Sequence, residues 1–476
     1  MSSDSSHALL ADLLNQLVNV VGSAHVLTGD QVSERATHFW DSTPLIAKAI
    51  VRPANTAETS AVLKLCHAAS QVVVTHGGIT GLVDGNLSTS SDIVLSMERQ
   101  NAIESIDAKG RTLSVQAGTI LQNVQEAAAK ANLQFGLDLG ARGSCTIGGN
   151  ISTNAGGLSV LRYGMTREQV LGLEVVMADG TILSSMNHMM KNNAGYDLKH
   201  LFIGSEGTLG VVTRAVLRLR PATPHVNTAL LAFASFEQVT ELLGELSAAL
   251  NSTLDAFEVI WQPFYRLNTN PAVEGTSSAP LPASYPVYAI VETRSTDSET
   301  AKQQFQAALE QSMNNGLIQD AVIAQSTRER ATIWHIREHI DIALQHNPVF
   351  VYDISLPIAD MSHYVEQTIS RLEQRWPEVI VYAYGHLADG NLHVLVAPIT
   401  EQTLDDATRT QWQSQSNEIV YGPLKALGGS ISAEHGIGLT KKAYLSYSRT
   451  PEEIALMKTL KQTLDPAGIL NPGKII

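Results

Sequence analysis

The residues of this sequence best suited to chemistry include two histidines on either side of a glycine-containing turn. His386 and His393 flank Asp389-Gly390, with an apolar run on each side. An Asp-Gly pair in this setting predicts a β-hairpin with a two-residue loop. That register pairs His386 directly with His393, and directly paired residues share a face with Cβ atoms about 5 Å apart. Two imidazoles at this separation suit the binding of one metal ion.

A third ligand for such an ion is missing near the hairpin. Glu434 is the natural candidate, because the small residues that precede it in Gly428-Gly-Ser-Ile-Ser-Ala-Glu434 permit close packing. Two histidines and one carboxylate form a site for Zn²⁺ or a similar divalent ion with open positions for a substrate. The alternative is a pair of half-buried histidines and an unrelated surface acid, and the spacing alone does not decide between the two.

Two glycine-rich stretches dominate the first half of the chain, 75–85 and 139–157. Glycine permits close approach of a ligand and positive φ angles, so successive N–H groups can point at one anion. The hydroxyls of Thr80, Ser144 and Ser152 add further donors. The stretches therefore predict a diphosphate site without a lysine, although tight turns alone would also explain the glycines. Neither a Gly-x-Gly-x-x-Gly fingerprint nor a P-loop is present.

The elements that must position these residues follow from hydrophobic periodicity. Short apolar runs between about 45 and 220 predict strands, and Asn55 with Glu58 predicts the capped start of a helix over 55–70. Beyond 222, predicted strands at 287–292, 379–384 and 392–397 alternate with long helices, among them one over 328–345. We predict an α+β fold with a helical segment over 1–40, a glycine-rich domain over 41–221, a cap domain with an antiparallel sheet over 222–445 and a returning segment over 446–476.

Composition excludes several classes of protein. The net charge of −14 disfavours a nucleic-acid partner and requires a local cationic site for any anionic substrate. No apolar run is long enough to cross a bilayer, and the first residues lack the pattern of a signal or transit peptide. With only Cys66 and Cys145, no disulfide framework is expected. A cytoplasmic setting is the resulting prediction.

Several motifs resemble the FAD-binding domain of D-2-hydroxy acid dehydrogenases, which has the vanillyl-alcohol oxidase (PCMH-type) fold. They are Gly77-Gly-Ile-Thr-Gly81, Gly143-Ser-Cys-Thr-Ile-Gly-Gly-Asn-Ile-Ser-Thr-Asn-Ala-Gly-Gly157, Leu171–Gly180 and Asn193–Gly210. The resemblance implies non-covalently bound FAD. The implied cofactor-binding residues are His76, Gly77, Gly78, Thr80, Gly81, Leu82, Leu139, Gly140, Ser144, Gly148, Gly149, Ser152, Asn154, Gly156, Gly157 and Asn471. Ile79 departs from the pattern, because a polar residue or glycine is expected inside that loop.

The same family carries the Gly-His-x-x-Asp-Gly-Asn-x-His and Glu-His-Gly motifs. The resemblance therefore implies that His386, His393 and Glu434 bind a divalent metal, zinc or manganese, and that His435 is the catalytic base. Arg337 matches an arginine that resembles the family's carboxylate clamp, while a helix-surface pair with Asp341 is the alternative. His335 and His339 could also chelate a metal, but a solvated helix face explains them better, because no acid follows the zincin pattern.

The implied reaction is oxidation of a D-2-hydroxy acid to the 2-oxo acid, with hydride passing to flavin N5. Asp341, Val351 and Leu395 stand where D-2-hydroxyglutarate dehydrogenases are expected to carry polar residues for the distal carboxylate. This predicts weaker use of D-2-hydroxyglutarate and better use of a substrate such as D-lactate. Tyr352-Asp-Ile-Ser-Leu-Pro357, however, resembles the hydroxyglutarate branch more closely, so both substrates stay open.

Electrons would pass to an electron-transfer flavoprotein, a quinone or a partner subunit, and a homodimer is compatible with the sequence. Two alternatives stay open, namely a metal-independent flavin oxidase of the same fold and the flavin subunit of a glycolate oxidase-like complex.

Overall fold

The chain divides into two compact units, and each unit is built from segments that are separated in the sequence. The computed structural model describes residues 3–250, 253–400 and 403–476, with side chains described from residue 12 onward. The first unit comprises residues 1–157, 163–222 and 434–476, and the second comprises 158–162 and 223–433. The chain therefore returns to the first unit at Glu434, directly before His435.

The described strands of the first unit form three sheets. Its strands are β1 (Val26–Leu27), β2 (Ala49–Val51), β3 (Val73–His76), β4 (Ile93–Ser96), β5 (Ile103–Asp107), β6 (Thr112–Gln116), β7 (Leu133–Gln134), β8 (Val170–Val176), β9 (Ile182–Ser185), β10 (Val211–Arg218) and β11 (Arg220–Pro221). The sheet orders are β1-β2-β4-β3, β5-β6-β10-β8-β9 and β11-β7. The β2, β4 and β3 strands pair in parallel, whereas the second sheet is antiparallel.

Helices pack against these sheets, and the described apolar residues form a large core cluster and a smaller one of Leu27, Val32, Leu45, Ile50 and Val94. The helices are α1 (Ser3–Val21), α2 (Asp30–Ser33), α3 (Thr56–Ala68), α4 (Leu121–Lys130), α5 (Ile147–Thr153), α7 (Thr166–Gln169) and α8 (Lys199–Phe202), with α17 (Pro451–Leu464) near the C-terminus. The short helix α6 (Val160–Tyr163) lies almost entirely in the segment 158–162 of the second unit. The predicted cap of α3 is confirmed, because the Asn55 side chain accepts a hydrogen bond from the Glu58 N–H at 2.9 Å. Both cysteines are buried and free.

The C-terminal segment closes the first unit onto β3. Leu470 forms an isolated parallel bridge with Val73, and the Val73 N–H donates to the Ile469 carbonyl at 2.8 Å. The buried Asp465 carboxylate accepts the N–H groups of Ile469 and Leu470, which fixes the turn after α17. Residues near position 470 are thereby placed beside the loop that follows β3.

The second unit has one antiparallel sheet in its described residues, with the strand order β15-β12-β14-β13-β17-β18-β16. Its strands are β12 (His225–Phe233), β13 (Leu254–Trp261), β14 (Val287–Ser295), β15 (Asp320–Ile323), β16 (Phe350–Ser355), β17 (Val379–His386) and β18 (Asn391–Pro398). Its helices are α9 (Phe236–Leu250), α10 (Gln262–Asn268), α11 (Ser298–Asn314), α12 (Thr327–Glu338), α13 (Asp341–Leu344), α14 (Met361–Arg375), α15 (Asp406–Tyr421) and α16 (Leu424–Leu427).

Two sequence predictions in this unit were wrong in detail. The helix expected over 328–345 is interrupted, because His339 adopts a ψ of 73° that ends α12 before α13 begins. The hairpin between β17 and β18 pairs His393 with Tyr384 and not with His386. A 3₁₀ turn over Leu387–Asp389 and a left-handed Gly390 (φ 80°) make the connection longer than two residues.

Candidate functional site

Both glycine-rich stretches line one cavity of about 360 Å³ in the first unit. Such a volume is typical of small-molecule sites. Most of the residues predicted to bind the cofactor line it, namely Gly77, Gly78, Thr80, Gly81, Leu82, Leu139, Gly140, Gly148, Gly149, Ser152, Gly156 and Asn471. The cavity therefore joins segments that are more than 300 residues apart in the sequence.

The two stretches can pack this closely because glycine has no Cβ atom. A Cβ added to Gly78 would lie 2.2 Å from the Ser144 carbonyl oxygen, and one added to Gly77 would lie 2.5 Å from Thr146 Oγ1. In contrast, a Cβ at Gly81 or Gly140 would meet no atom within 4 Å. Some of the glycines thus allow the loops to meet, while others leave the wall of the cavity open for a ligand.

Four of the predicted cofactor residues are not among those that line the cavity, and each has a local structural contact. Burial lowers the pKa of His76 to about 4, and its Nε2 lies 2.8 Å from the Asn86 carbonyl oxygen. The Ser144 carbonyl packs against Gly78. Asn154 accepts the Arg167 N–H at 2.9 Å, and Gly157 has a φ of 121° that favours glycine. Their predicted contact with the cofactor stays a prediction.

Ile79 lines the cavity in a left-handed conformation, with φ at 50°. A β-branched residue is strained there, because its Cβ substituents crowd the backbone. Glycine, one of the residue types expected at this position, would adopt this conformation without strain.

Sequence reasoning missed several residues that line the cavity, above all Glu206 and Thr75. Thr75 Oγ1 is buried, and among the described residues it has no hydrogen-bond partner. A buried hydroxyl without a partner is costly unless a ligand satisfies it, so this atom fits a cavity that holds a polar cofactor. The signal for Glu206 was its position inside Gly204-Ser-Glu-Gly207, where a lone acid interrupts a glycine-rich turn.

Glu434 and His435 also line this cavity. The residues that follow them are held by Glu206, whose carboxylate accepts the N–H groups of Ile437 at 2.7 Å and Gly438 at 2.8 Å. Burial raises the pKa of Glu206, although these two amides act in the opposite direction. The predicted base, His435, thus lies on a loop whose next residues, Ile437 and Gly438, are held in place by Glu206.

In the second unit, His386 and His393 share a face of the sheet despite the corrected register. Tyr384 pairs with His393, and His386 lies two residues further along the same strand, so all three side chains point to one side. The two imidazole centroids are 5.5 Å apart. The sequence therefore gave the correct face through an incorrect pairing, because the error was an even number of residues.

A buried carboxylate orients His386. Glu258 is its direct partner across β13 and β17, and the Glu258 carboxylate lies 2.7 Å from His386 Nδ1. Burial alone would raise the pKa of Glu258, but His386 and Arg337 hold it below the ordinary value. A proton on Nδ1 leaves the Nε2 lone pair available, which is the usual arrangement of a metal-binding histidine.

Arg337 is buried and does not pair with Asp341, so the alternative of a surface ion pair is wrong. Its Nε donates to Glu258 at 2.8 Å, and its guanidinium lies 4.5 Å from the centroid of the Tyr384 ring. Its Nη2 is 3.4 Å from His386 Nε2, so a metal ion and this donor would compete for one lone pair. Among the described residues, no hydrogen-bond acceptor contacts its Nη1, which can therefore receive a substrate carboxylate.

The next row of residues on this face of the sheet, beyond His393 and Tyr384, is apolar apart from the phenol of Tyr382. Leu395 pairs with both Val351 and Tyr382. Leu395 has no exposed surface, whereas 43% of Val351 is exposed, and Asp341 is also exposed. The Tyr382 hydroxyl is bonded to His346 Nε2 at 2.9 Å. No cation from these positions is available to a second carboxylate.

His335 and His339 lie on one side of α12, with ring centroids 4.6 Å apart. His335 is exposed, and its Nδ1 lies 3.1 Å from the Ser277 hydroxyl. His339 is half-buried and ends the helix. The exposure of His335 agrees with the prediction that it lies on a solvated helix face.

Two family models match the chain. Residues 47–185 match the FAD binding domain, and residues 222–475 match the C-terminal domain of FAD linked oxidases. These matches coincide with the glycine-lined cavity and with the antiparallel sheet, respectively. The fold and the cavity therefore define an FAD-binding oxidoreductase.

Similar proteins narrow this class further. The chain is 40% identical over 443 residues to a D-2-hydroxyglutarate dehydrogenase of Xanthomonas citri pv. viticola. This match covers 92% of this chain and 90% of that protein. The chain is 37% identical to the mitochondrial D-2-hydroxyglutarate dehydrogenase of Arabidopsis thaliana, over 96% of this chain and 80% of that protein. A putative mitochondrial D-lactate dehydrogenase of Schizosaccharomyces pombe is 36% identical, over 90% of this chain and 81% of that protein. The chain belongs to the family of FAD-dependent D-2-hydroxy acid dehydrogenases.

Solved structures confirm the predicted fold class. A 4-ethylphenol oxidase from Gulosibacter chungangensis matches with a TM-score of 0.73 at 18% identity, over 98% of this chain and 97% of that one. p-Cresol methylhydroxylase matches equally well at 12% identity. In the described residues, no helix has the length and apolar character needed to cross a membrane. The cytoplasmic setting stays a prediction, and some relatives carry "mitochondrial" in their names.

Proposed function

We propose that this FAD-dependent dehydrogenase oxidises a D-2-hydroxy acid to the 2-oxo acid, with D-2-hydroxyglutarate as the first candidate. The observation that supports this most is the similarity along nearly the whole chain to enzymes named for that substrate. The presence of His435 in the wall of the glycine-lined cavity adds a proton acceptor where the reaction needs one.

His435 would remove the hydroxyl proton of the substrate, because imidazole is the side chain most often used as a general base at neutral pH. Arg337 would bind the substrate carboxylate through Nη1 while its Nε stays on Glu258. The role of Glu258 is then to hold both Arg337 and His386 in fixed orientations. Bound FAD supplies the hydride acceptor, a function that no side chain can perform.

A divalent metal ion fits the donor set of His386 and His393, whose rings share one face, and Glu434 is proposed as the third ligand. Zinc and manganese both accept two imidazoles and a carboxylate. When bound, such an ion lowers the pKa of a coordinated hydroxyl and so assists its deprotonation. The Nδ1 contact of His386 with Glu258 supports this role, since metal-binding histidines commonly have such a partner.

D-lactate is the second candidate substrate, and the row of Val351, Leu395 and Tyr382 favours it. A distal carboxylate needs a cation or hydrogen-bond donors, and neither valine nor leucine provides them. Asp341 would repel a second carboxylate if it came close to one. A short apolar substrate side chain would meet no such cost.

Anaerobic bleaching of the bound flavin tests both candidates. The purified protein is mixed with the D- and L-forms of lactate and 2-hydroxyglutarate, and the flavin absorbance is followed with time. Bleaching by one or both D-acids and not by the L-acids supports the proposal, and the ratio of the two rates ranks the substrates. Failure of every acid to bleach the flavin would contradict it.

Chelation separates the proposed reaction from a metal-independent flavin oxidase of the same fold. Loss of bleaching after EDTA treatment and its recovery with Zn²⁺ or Mn²⁺ support the metal site. Bleaching that is indifferent to EDTA, together with fast reoxidation by O₂, favours the oxidase. An electron-transfer flavoprotein, a quinone or a partner subunit is the proposed acceptor, and each can be offered to the reduced enzyme in turn.

A further inference from the structure

A carboxylate of the first unit anchors the loop that carries Glu434 and His435. Glu206 Oε1 accepts the Ile437 N–H at 2.7 Å, and its Oε2 accepts the Gly438 N–H at 2.8 Å. These amides follow His435 by two and three residues. A carboxylate that accepts two adjacent backbone amides fixes both the position and the direction of the loop, because both bonds must be made at once.

Glycines on the loop make this contact possible. Gly436 has a φ of 87°, and a Cβ added there would lie 2.7 Å from Glu206 Oε1. Gly438 has a φ of 49°, and its added Cβ would lie 1.9 Å from the Val83 carbonyl oxygen. The chain thus passes over the carboxylate at a distance that only glycine allows, directly after His435.

Glu206 is itself held rigidly. Its backbone is in the left-handed region at φ 50°, its N–H donates to the Ser152 carbonyl at 2.8 Å, and its carbonyl accepts Asn471 Nδ2 at 2.7 Å. Asn471 Oδ1 also accepts the Thr75 N–H at 3.0 Å. Ser152, Asn471 and Thr75 all line the cavity. The position of the loop is thereby tied to the walls of the cofactor cavity.

We infer that Glu206 is a positioning residue, which holds the Glu434–His435 segment against the flavin cavity so that His435 meets the substrate hydroxyl. This inference rests on the proposed role of His435 as the base. It assigns Glu206 no proton transfer and no contact with the substrate. Displacement of a reacting group by about 1 Å can lower a rate on the order of 100-fold, so a loosened loop should be visible in the chemical step.

The test compares the FAD-loaded Glu206→Gln variant with the parent protein. Glutamine keeps the size of the side chain but offers only one acceptor oxygen, so one of the two amides loses its partner. We expect bound FAD per protein to stay within twofold, the limiting rate of anaerobic flavin reduction by the D-acid to fall about 10- to 100-fold, and the half-saturating acid concentration to stay within about threefold.

Hydrogen exchange provides a readout that is independent of activity. The Ile437 and Gly438 amides should exchange faster in Glu206→Gln, while amides of β10 should not change. Glu174→Gln is the matched control, because Glu174 is another buried carboxylate of the same unit and bonds to Thr56, Ser184 and Arg214. It should leave both the exchange at 437–438 and the reduction rate unchanged. Gly436→Ala disturbs the same contact from the loop side and should reproduce the rate loss if Glu206→Gln fails to fold.

The outcomes separate this inference from the proposed function. A parent protein that no D-2-hydroxy acid reduces would overturn the proposed function, and the positioning role with it. A parent that is reduced normally, with unchanged exchange at 437–438 or an unchanged reduction rate in both variants, would overturn the positioning role alone. Faster exchange with a slower limiting rate and a retained half-saturating concentration would support it.

Discussion

The two units provide their candidate sites by opposite means. In the first unit glycine-rich loops bring the backbone into the wall of the cavity, and its shape depends on side chains that are missing, as at Gly78, where a Cβ would lie 2.2 Å from the Ser144 carbonyl oxygen. In the second unit the candidate site is a network of charged side chains, in which Glu258 contacts His386 at 2.7 Å and Arg337 at 2.8 Å. A backbone site should be sensitive to added atoms, and a side-chain network to removed charges.

The largest expected effect concerns His435, which lines the cavity and is the proposed base. His435→Asn removes the proposed base, and we expect the rate of anaerobic flavin reduction to fall about 10²- to 10⁴-fold, the usual contribution of a general base. Stopped-flow absorbance measures this rate. Bound FAD should be retained, because the glycine-rich stretches that line the cavity are unchanged in this variant. A variant that keeps more than half of the parent's rate would rule out this role of His435.

Removal of a charge from the network should have the next largest effect. Glu258→Gln leaves one acceptor oxygen where two carboxylate oxygens now bond to Arg337 and His386. We expect metal affinity or activity to fall about 10- to 100-fold. Titration of the apoprotein with Zn²⁺ measures the affinity.

Glu292→Gln is the control for this variant, since Glu292 is also buried in the second unit and binds Arg330 and Trp334 without contacting a histidine. Equal loss of metal affinity in the two variants would show that the effect comes from general destabilisation of the unit.

Addition of a single methyl group should disturb the cavity. Gly78→Ala places a Cβ against the Ser144 carbonyl, and overpacking of this kind costs about 1–3 kcal/mol of unfolding free energy. Thermal unfolding of the FAD-loaded protein and FAD content measure the result. Gly244→Ala is the matched control, because its Cβ meets no atom within 4 Å inside α9, and it should stabilise the protein by up to about 1 kcal/mol. Equal stability of the two variants would contradict the backbone character of the site.

The smallest expected effect comes from the strained position in the same loop. Ile79→Gly relieves a left-handed β-branched residue, a gain of about 1–2 kcal/mol that the greater freedom of glycine in the unfolded chain offsets by about 0.5–1 kcal/mol. We expect a slightly higher melting temperature with unchanged flavin content. A lower melting temperature would mean that the Ile79 side chain contributes more by packing than it costs in strain.

The contrast between the units also explains what the sequence could predict. Glycines are visible in a sequence, so the cavity loops and the strand before them were located correctly. The shared face of His386 and His393 survived an error in register, because a shift of two residues preserves the alternation of a strand. Glu206 and Glu258 were missed because their partners are distant in the sequence: Glu206 contacts Ile437, and Glu258 contacts Arg337 and His386. The glycine-rich turn around Glu206 was a local signal, but it did not reveal the partner, and Glu258 had no such signal. The metal ligands and the base stay predictions.

The bridge between Leu470 and Val73 has a consequence for the order in which the protein folds during synthesis. The strands of the first sheet lie between residues 26 and 96, whereas the segment that closes this sheet follows the whole second unit in the sequence. Until Asn471 has been made, the backbone N–H of Thr75 lacks the Asn471 side-chain oxygen as its hydrogen-bond acceptor. Since contacts of such long sequence separation form late, the first unit should become competent to retain FAD only after residues 223–433 of the second unit and the segment around Leu470 have been synthesised.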